Sequence, residues 1–181
     1  MAKRRAIIAA AGGLACFGPV ALAVEVGQQA PEFTAPAVLA GRVFSFSLSA
    51  NLRHGPVVLY FFPAAFSEGC SIEARAIADA IDSFKALGAT AVGVSGGGLD
   101  MLSRFSVKVC NGKFALVSDE SQVIMTSYAA VMQTRPDFAS RTSFVIAPDG
   151  SVLLVYGNLS PHDHVTRTLA ALRAWSQARR P

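Results

Sequence analysis

Residues 57–70 read Val57-Val58-Leu59-Tyr60-Phe61-Phe62-Pro63-Ala64-Ala65-Phe66-Ser67-Glu68-Gly69-Cys70. The unbroken apolar run Val57–Phe62 predicts a strand buried on both faces. Proline and small residues behind it predict a loop. From Cys70 to Leu87 the apolar residues Ile77, Ile81, Phe84 and Leu87 recur three or four apart, and Gly88 follows. That spacing predicts an amphipathic helix with a glycine stop. Cys70 therefore sits in a strand-to-helix loop, at or near a helix N-terminus. First-turn N–H groups have no intrahelical partner, and the macrodipole is positive there. Such a place stabilises a thiolate and makes the sulfur a nucleophile. The plainer role for the same residue is a small buried hydrophobe.

Working outward, Thr90–Val94 reads as a second central strand and Gly96-Gly97-Gly98 as a connector. Leu99 to Val109 predicts a helix with Leu102, Phe105 and Val109 on one face. Phe114–Val117 predicts a strand and Gln122–Tyr128 a short helix. Thr142–Ile146 and Val152–Tyr156 predict a hairpin around Pro148-Asp149-Gly150. Upstream, Arg42–Leu48 alternates apolar and polar as a half-buried strand does, while Val24–Phe33 reads as loop, with Pro31 and Pro36 as punctuation. The last helix is expected from Ser160-Pro161-His162-Asp163, with Ser160 as cap, and with Val165, Leu169, Leu172 and Trp175 as its buried stripe. The fold class is α/β, one domain with a central sheet flanked by helices. It contains no internal repeat, linker or low-complexity segment.

Residues 1–23 read as a secretory signal peptide: Lys3-Arg4-Arg5, then a short apolar stretch from Ala6 to Leu14, then the small-residue cleavage site Ala21-Leu22-Ala23. A twin-arginine signal at Arg4-Arg5 and a lipoprotein site at Cys16 both fit worse. The expected mature domain is 24–181, periplasmic or secreted. Of the net charge of +4, Lys3, Arg4 and Arg5 account for three, so the basic balance is no argument for nucleic acid. No later stretch is long enough to span a bilayer. Cleavage removes Cys16 and leaves Cys70 and Cys110. Two cysteines in an oxidising compartment can form a permanent bridge or a transient, catalytic one.

A thiolate that cuts an O–O bond needs room for a small peroxide, donors for the departing oxygen, and a permanent cation beside the sulfur. The N–H groups of Gly69 and Cys70 are candidate donors, and Gly69 lets the backbone approach closely. Ser67 can place a hydroxyl near the sulfur, and Pro63 can wall the pocket from water. The candidate cation is Arg141, just before the strand Thr142–Ile146; the plain alternative is an ordinary surface arginine.

Pro63-x-x-x-Ser67-x-x-Cys70 resembles the active-site pattern of the peroxiredoxins. Leu59–Pro63 through Gly69-Cys70-Ser71-Ile72-Glu73-Ala74, then Gly93-Val94-Ser95, Phe114–Asp119 and Arg141–Ile146 with Asp149-Gly150, are similar to the bacterioferritin-comigratory or Q-type branch, in order and spacing. The resemblance covers nearly all of Val26 to Trp175. It implies a thioredoxin-like fold and thiol-dependent reduction of hydrogen peroxide and organic hydroperoxides. It implies Cys70 as the peroxidatic cysteine, converted to sulfenic acid, with Arg141 as the active-site arginine and Pro63, Ser67, Gly69 and Glu73 around them. No cofactor is implied. The partners implied are the peroxide and an external thiol or thioredoxin-like reductant, acting on a monomer or homodimer.

The chain departs from that pattern in three places. Ser67 replaces the commoner threonine, and Gly96-Gly97-Gly98 replaces polar residues. Arg75 stands where many Q-type members carry a resolving cysteine. Cys110 is then the intrachain candidate to resolve the sulfenic acid, and a one-cysteine cycle with an external thiol is the alternative. His162-Asp163-His164 is not expected to bind metal, because residues two apart on a helix do not face each other. Two other readings of the region lack residues they need: a thiol-disulfide oxidoreductase wants Cys-x-x-Cys, but position 73 is Glu, and a copper-delivery protein wants a cysteine at position 74, which is Ala.

Overall fold

The computed structural model describes residues 24–179; the expected leader and Cys16 lie outside the described residues. Val57–Phe61 forms β3, every residue of it buried, and its alternation divides the core. Val58 and Tyr60, followed by Phe62, point into one apolar cluster. Val57, Leu59 and Phe61 point into the other. A strand lined on both faces must be central. The seven-stranded order is β2(Arg42–Ser47), β1(Thr34–Leu39), β5(Ala115–Ser118), β4(Thr90–Ser95), β3, β8(Thr142–Ile146), β9(Val152–Gly157). The middle three strands are parallel, and β8, β9, β1 and β2 are added antiparallel. The sheet is thus mixed, with helices on both faces.

One face packs α2(Glu68–Ala86), α3(Leu99–Lys108) and α5(His164–Ala178). Ile77, Ile81 and Phe84 of α2, Leu102 and Phe105 of α3 and Leu172 of α5 bury there. The other face packs α1(Leu48–Leu52) and α4(Val123–Ser127) through Leu48, Leu52, Ile124 and Met125.

Four sequence expectations need correction. First, β1 was not foreseen. Its composition is small and it contains Pro36, but β5 pairs only with Ala37 and Val38, so Pro36 falls where β1 has a neighbour on one side alone. The turn to β2 is Ala40-Gly41, both at positive φ (49° and 78°), as a two-residue hairpin demands. Second, β2 ends at Ser47, which caps α1, and only Phe46 of the strand is buried. Third, a small hairpin, β6(Val131–Met132) and β7(Arg135–Ala139), precedes β8. Fourth, the last helix starts at His164, not at Ser160-Pro161. Asp163 occupies the cap position without a side-chain cap bond, and the fully buried stripe is His164, Thr168 and Leu172.

Candidate active site

Ser67 caps α2. Its φ and ψ are extended (−65°, 151°), and its Oγ accepts from the Cys70 N–H at 3.4 Å while donating to the Ala64 carbonyl at 3.0 Å. The helix therefore begins at Glu68, two residues before the expected start, and Cys70 lies in its first turn. The Ser67 hydroxyl meets the amide of Cys70, and that amide, one of the two expected oxyanion donors, is already engaged. The residue before the cap, Phe66, has φ 65° and sets its ring edge-on against Phe105 at 5.1 Å.

Cys70 is 1% exposed and Arg141 7%. The two meet: Nη2 of Arg141 donates to Cys70 Sγ at 3.4 Å. Sequence separates them by 71 positions; the pairing of β3 with β8, Phe61 opposite Thr142, brings the turn holding Arg141 beside the loop after β3. Nη1 of the same guanidinium donates to Glu73 Oε2 and, at 3.4 Å, to the Gly69 carbonyl. A Cβ on residue 69 would stand 3.0 Å from Nη2, so glycine there makes room for the arginine. Pro63 borders a cleft of about 290 Å³ beside the loop, with Ala64, Gly96, Gly97, Met101 and Phe138.

Glu73 is wholly buried. Burial pushes its carboxyl from the ordinary 4.5 up to about 7, against the opposing pull of Arg141. Behind it stand residues that sequence reading left aside. His164 Nδ1 is 3.5 Å from Glu73 Oε1 and 2.8 Å from Ser143 Oγ, and Nε2 is 3.0 Å from the Asn158 carbonyl. Burial lowers the imidazole's proton affinity, with Arg141 acting the same way. The Tyr60 hydroxyl is buried without a hydrogen-bond partner among the described residues. Burial first, then the neighbouring Cys110, Glu73 and Cys70, hold it well above its usual range. The helical stripe of α5, read with His164 in it, was the available signal for the histidine; for Tyr60 there was none beyond its place in a buried strand.

Cys110 lies just past α3, buried in the same core cluster as Cys70, and both are free thiols. Its amide bonds the Phe105 carbonyl, and Asn111 and Gly112 follow at positive φ, so it belongs to the helix stop. Burial alone pushes its thiol up to about 12. Arg75, in the position of the absent resolving cysteine, is exposed on α2.

A buried sulfur in a helix first turn, touched by a guanidinium from a remote strand, suits a nucleophile that develops negative charge on a small partner. Residues 26–155 match the AhpC/TSA family. The chain belongs to that family. Within it, the sequence is 32% identical over 152 residues to a chloroplastic peroxiredoxin Q of Sedum lineare, covering 83% of this chain and 79% of the relative. It is 32% identical to that of Populus jackii, with 83% and 69% covered. Peroxidoxin BcpB from Mycobacterium tuberculosis superposes with a TM-score of 0.76 at 30% identity, over 83% of this chain and 97% of that one. AhpC of the same organism, at 17% identity, shares the fold (TM-score 0.77). The chain is a peroxiredoxin, with the thioredoxin-like fold of that family, and its enzyme class is thiol peroxidase.

Proposed function

We propose that Cys70 is the peroxidatic cysteine and Cys110 its resolving partner. The observation that carries the reading is the 3.4 Å contact between Arg141 Nη2 and Cys70 Sγ, two buried side chains meeting at the first turn of α2. The Cys70 thiolate attacks the nearer oxygen of hydrogen peroxide or an organic hydroperoxide. The S–O bond forms as the O–O bond breaks, and water or an alcohol leaves after taking up a proton. Arg141 sets a permanent positive charge against the attacking sulfur and offers N–H groups to the charge that moves onto the leaving oxygen. Gly69 leaves space for that guanidinium, Glu73 fixes its second nitrogen, Ser67 holds the helix start, and Pro63 walls the loop.

Cys70 sulfenic acid then condenses with the Cys110 thiol, releasing water and forming a 70–110 disulfide. An external dithiol of the thioredoxin type reduces that bridge. Both sulfurs begin buried and unpaired in one core cluster, and a bridge needs their Cα atoms within about 7 Å; from any longer starting distance the end of α3 or the first turn of α2 must unwind. The leader-like residues 1–23 and the two remaining cysteines support an exported, periplasmic or secreted domain of residues 24–181.

The test is peroxide consumption with an added dithiol by wild type, Cys70→Ser and Cys110→Ser. Cys70→Ser is expected to be inactive, and full turnover by it discards the mechanism. Cys110→Ser is expected to accumulate sulfenate that a dimedone probe traps, with no intramolecular disulfide by mass spectrometry. An equal sulfenate lifetime in wild type removes the resolving role.

A further inference from the structure

A second cavity, of about 270 Å³, lies at the opposite end of the sheet from the loop after β3. There the first residues of β4 and β5 meet the hairpin β1–β2 and the last turns of α2. Cys70 stands in the first turn of α2 and Lys85 in its last, which is roughly 22 Å along a helix axis. An occupant beside Lys85 is therefore out of reach of the Cys70 sulfur.

The walls are apolar. Phe46, Ile81 and Phe114 line the cavity from the core, and among them stand three alanines, Ala89, Ala91 and Ala115. Larger apolar side chains at those three places would fill the space that the alanines leave. Leu39 and Phe44, 39% and 40% exposed, carry the apolar surface out to the mouth.

The charge at this cavity has one sign. Lys85 and Lys113 line it, both exposed, and no carboxylate does. The other polar side chains, Asn51 and Thr90, are uncharged, and the Asn51 amide already donates to the Ser47 carbonyl at 2.8 Å. Neither lysine has an ion-pair partner among the described residues, where both ion pairs belong to Glu73.

We propose that this cavity binds a free medium-chain carboxylate, with the alkyl chain among Phe46, Ile81 and Phe114 and the head between Lys85 and Lys113. The volume sets the chain length. An apolar cavity of about 150 Å³ takes up benzene, so about 270 Å³ holds roughly ten carbons. The two ammonium groups set the sign of the head. The alanines, each less than a tenth exposed, are recessed, so a slender chain reaches them, whereas the face of another protein covers only Leu39 and Phe44. This site stands apart from the chemistry of Cys70 and does not depend on it.

The experiment titrates the full chain by calorimetry with decanoate, hexanoate and decyltrimethylammonium, all below their micelle-forming concentrations, and locates the contact by methyl NMR. Decanoate is expected to bind at one site, shifting the methyl signals of Leu39, Ile81, Ala91 and Ala115. Hexanoate is expected to bind at least tenfold more weakly, since each buried methylene is worth roughly threefold to fourfold. The decyl cation keeps the chain and reverses the head, and is expected about tenfold weaker than decanoate, as two exposed ion pairs allow. Lys85→Glu/Lys113→Glu is expected to invert that preference while consuming peroxide as wild type does, which shows that it is folded. Absence of saturable decanoate binding, equal affinity for the two heads, a hexanoate as tight as decanoate, an unchanged preference in the double variant, or methyl shifts elsewhere overturns the proposal. A dimer that sediments unchanged and excludes decanoate overturns it too, in favour of a second copy on this face. Full turnover by Cys70→Ser leaves this site standing and removes only the reading of the sulfur.

Discussion

Replacing Arg141 by Met removes the cation that faces Cys70 and preserves much of the side chain's length. At the observed 3.4 Å, a unit charge on sulfur gains about 1 kcal/mol from the guanidinium if water screens the pair fully, and about 5 kcal/mol at an effective dielectric of about 20. Both groups are nearly sealed from solvent, so the gain lies well inside that range. A loss of about 3 kcal/mol in the attack step corresponds to about 150-fold in rate. The variant leaves Glu73 without its partner, but a carboxyl already pushed up to about 7 takes a proton and avoids a bare buried charge. The fold therefore survives the substitution. Stopped-flow peroxide consumption at pH 7 is the assay, with circular dichroism to confirm folding. Arg141→Lys is expected in between, since an ammonium cannot reach sulfur, Glu73 and the Gly69 carbonyl with one rigid fork. A folded Arg141→Met protein within about threefold of wild type would refute the electrostatic account of the site.

Glu73→Gln tests the buried acid through stability. The native state holds the Glu73 proton more tightly than the unfolded chain does, so its contribution is complete below pH 4.5 and fades as pH rises through 7. Urea unfolding is expected to show wild type losing up to about 3 kcal/mol across that window, on the order of the linkage, with a flatter profile for Glu73→Gln. A profile that rises with pH in wild type relative to the variant contradicts the sign. Gly93→Ala, in the middle of β4, would put a Cβ 2.7 Å from Tyr60 Cε1 and 2.9 Å from Leu116 Cδ2. It is expected to cost about 1–3 kcal/mol in the same assay, and an unchanged midpoint would show that the Tyr60 ring moves freely.

Much of the α2/α3/α5 side of the molecule was legible from periodicity. The unbroken run Val57–Phe62 announced a central strand, and the spacing of Ile77, Ile81 and Phe84 announced the helix behind Cys70. Strand β1 escaped because what makes it a strand is its neighbours: Ala35, Pro36 and Ala37 have little strand preference, and pairing with β2 and β5 supplies the order. The short hairpin β6–β7 escaped for lack of apolar alternation. At the site, Cys70 and Ser67 were legible from strand-loop-helix order, whereas Arg141 was only a candidate cation by position, and the resemblance to the peroxiredoxin pattern singled it out. The link from Glu73 to His164 was not, because it joins three elements across 91 residues of chain and depends on which face of α5 turns inward. Ser160-Pro161 offered a stronger capping signal than Asp163, and that local preference lost to the packing of His164 against β8 and β9.

Phe66 stands in a left-handed backbone conformation that bulky side chains seldom adopt, held by the edge of Phe105. Phe105 in turn carries the carbonyl to which the Cys110 amide is bonded. One aromatic contact thus clasps the strained turn in front of one sulfur to the helix end that bears the other. Unwinding the helix end at Cys110 breaks a bond to the same residue whose ring restrains the turn before Cys70. In the proposed cycle, this pair of phenyl rings is the contact through which the two sulfur-bearing segments touch.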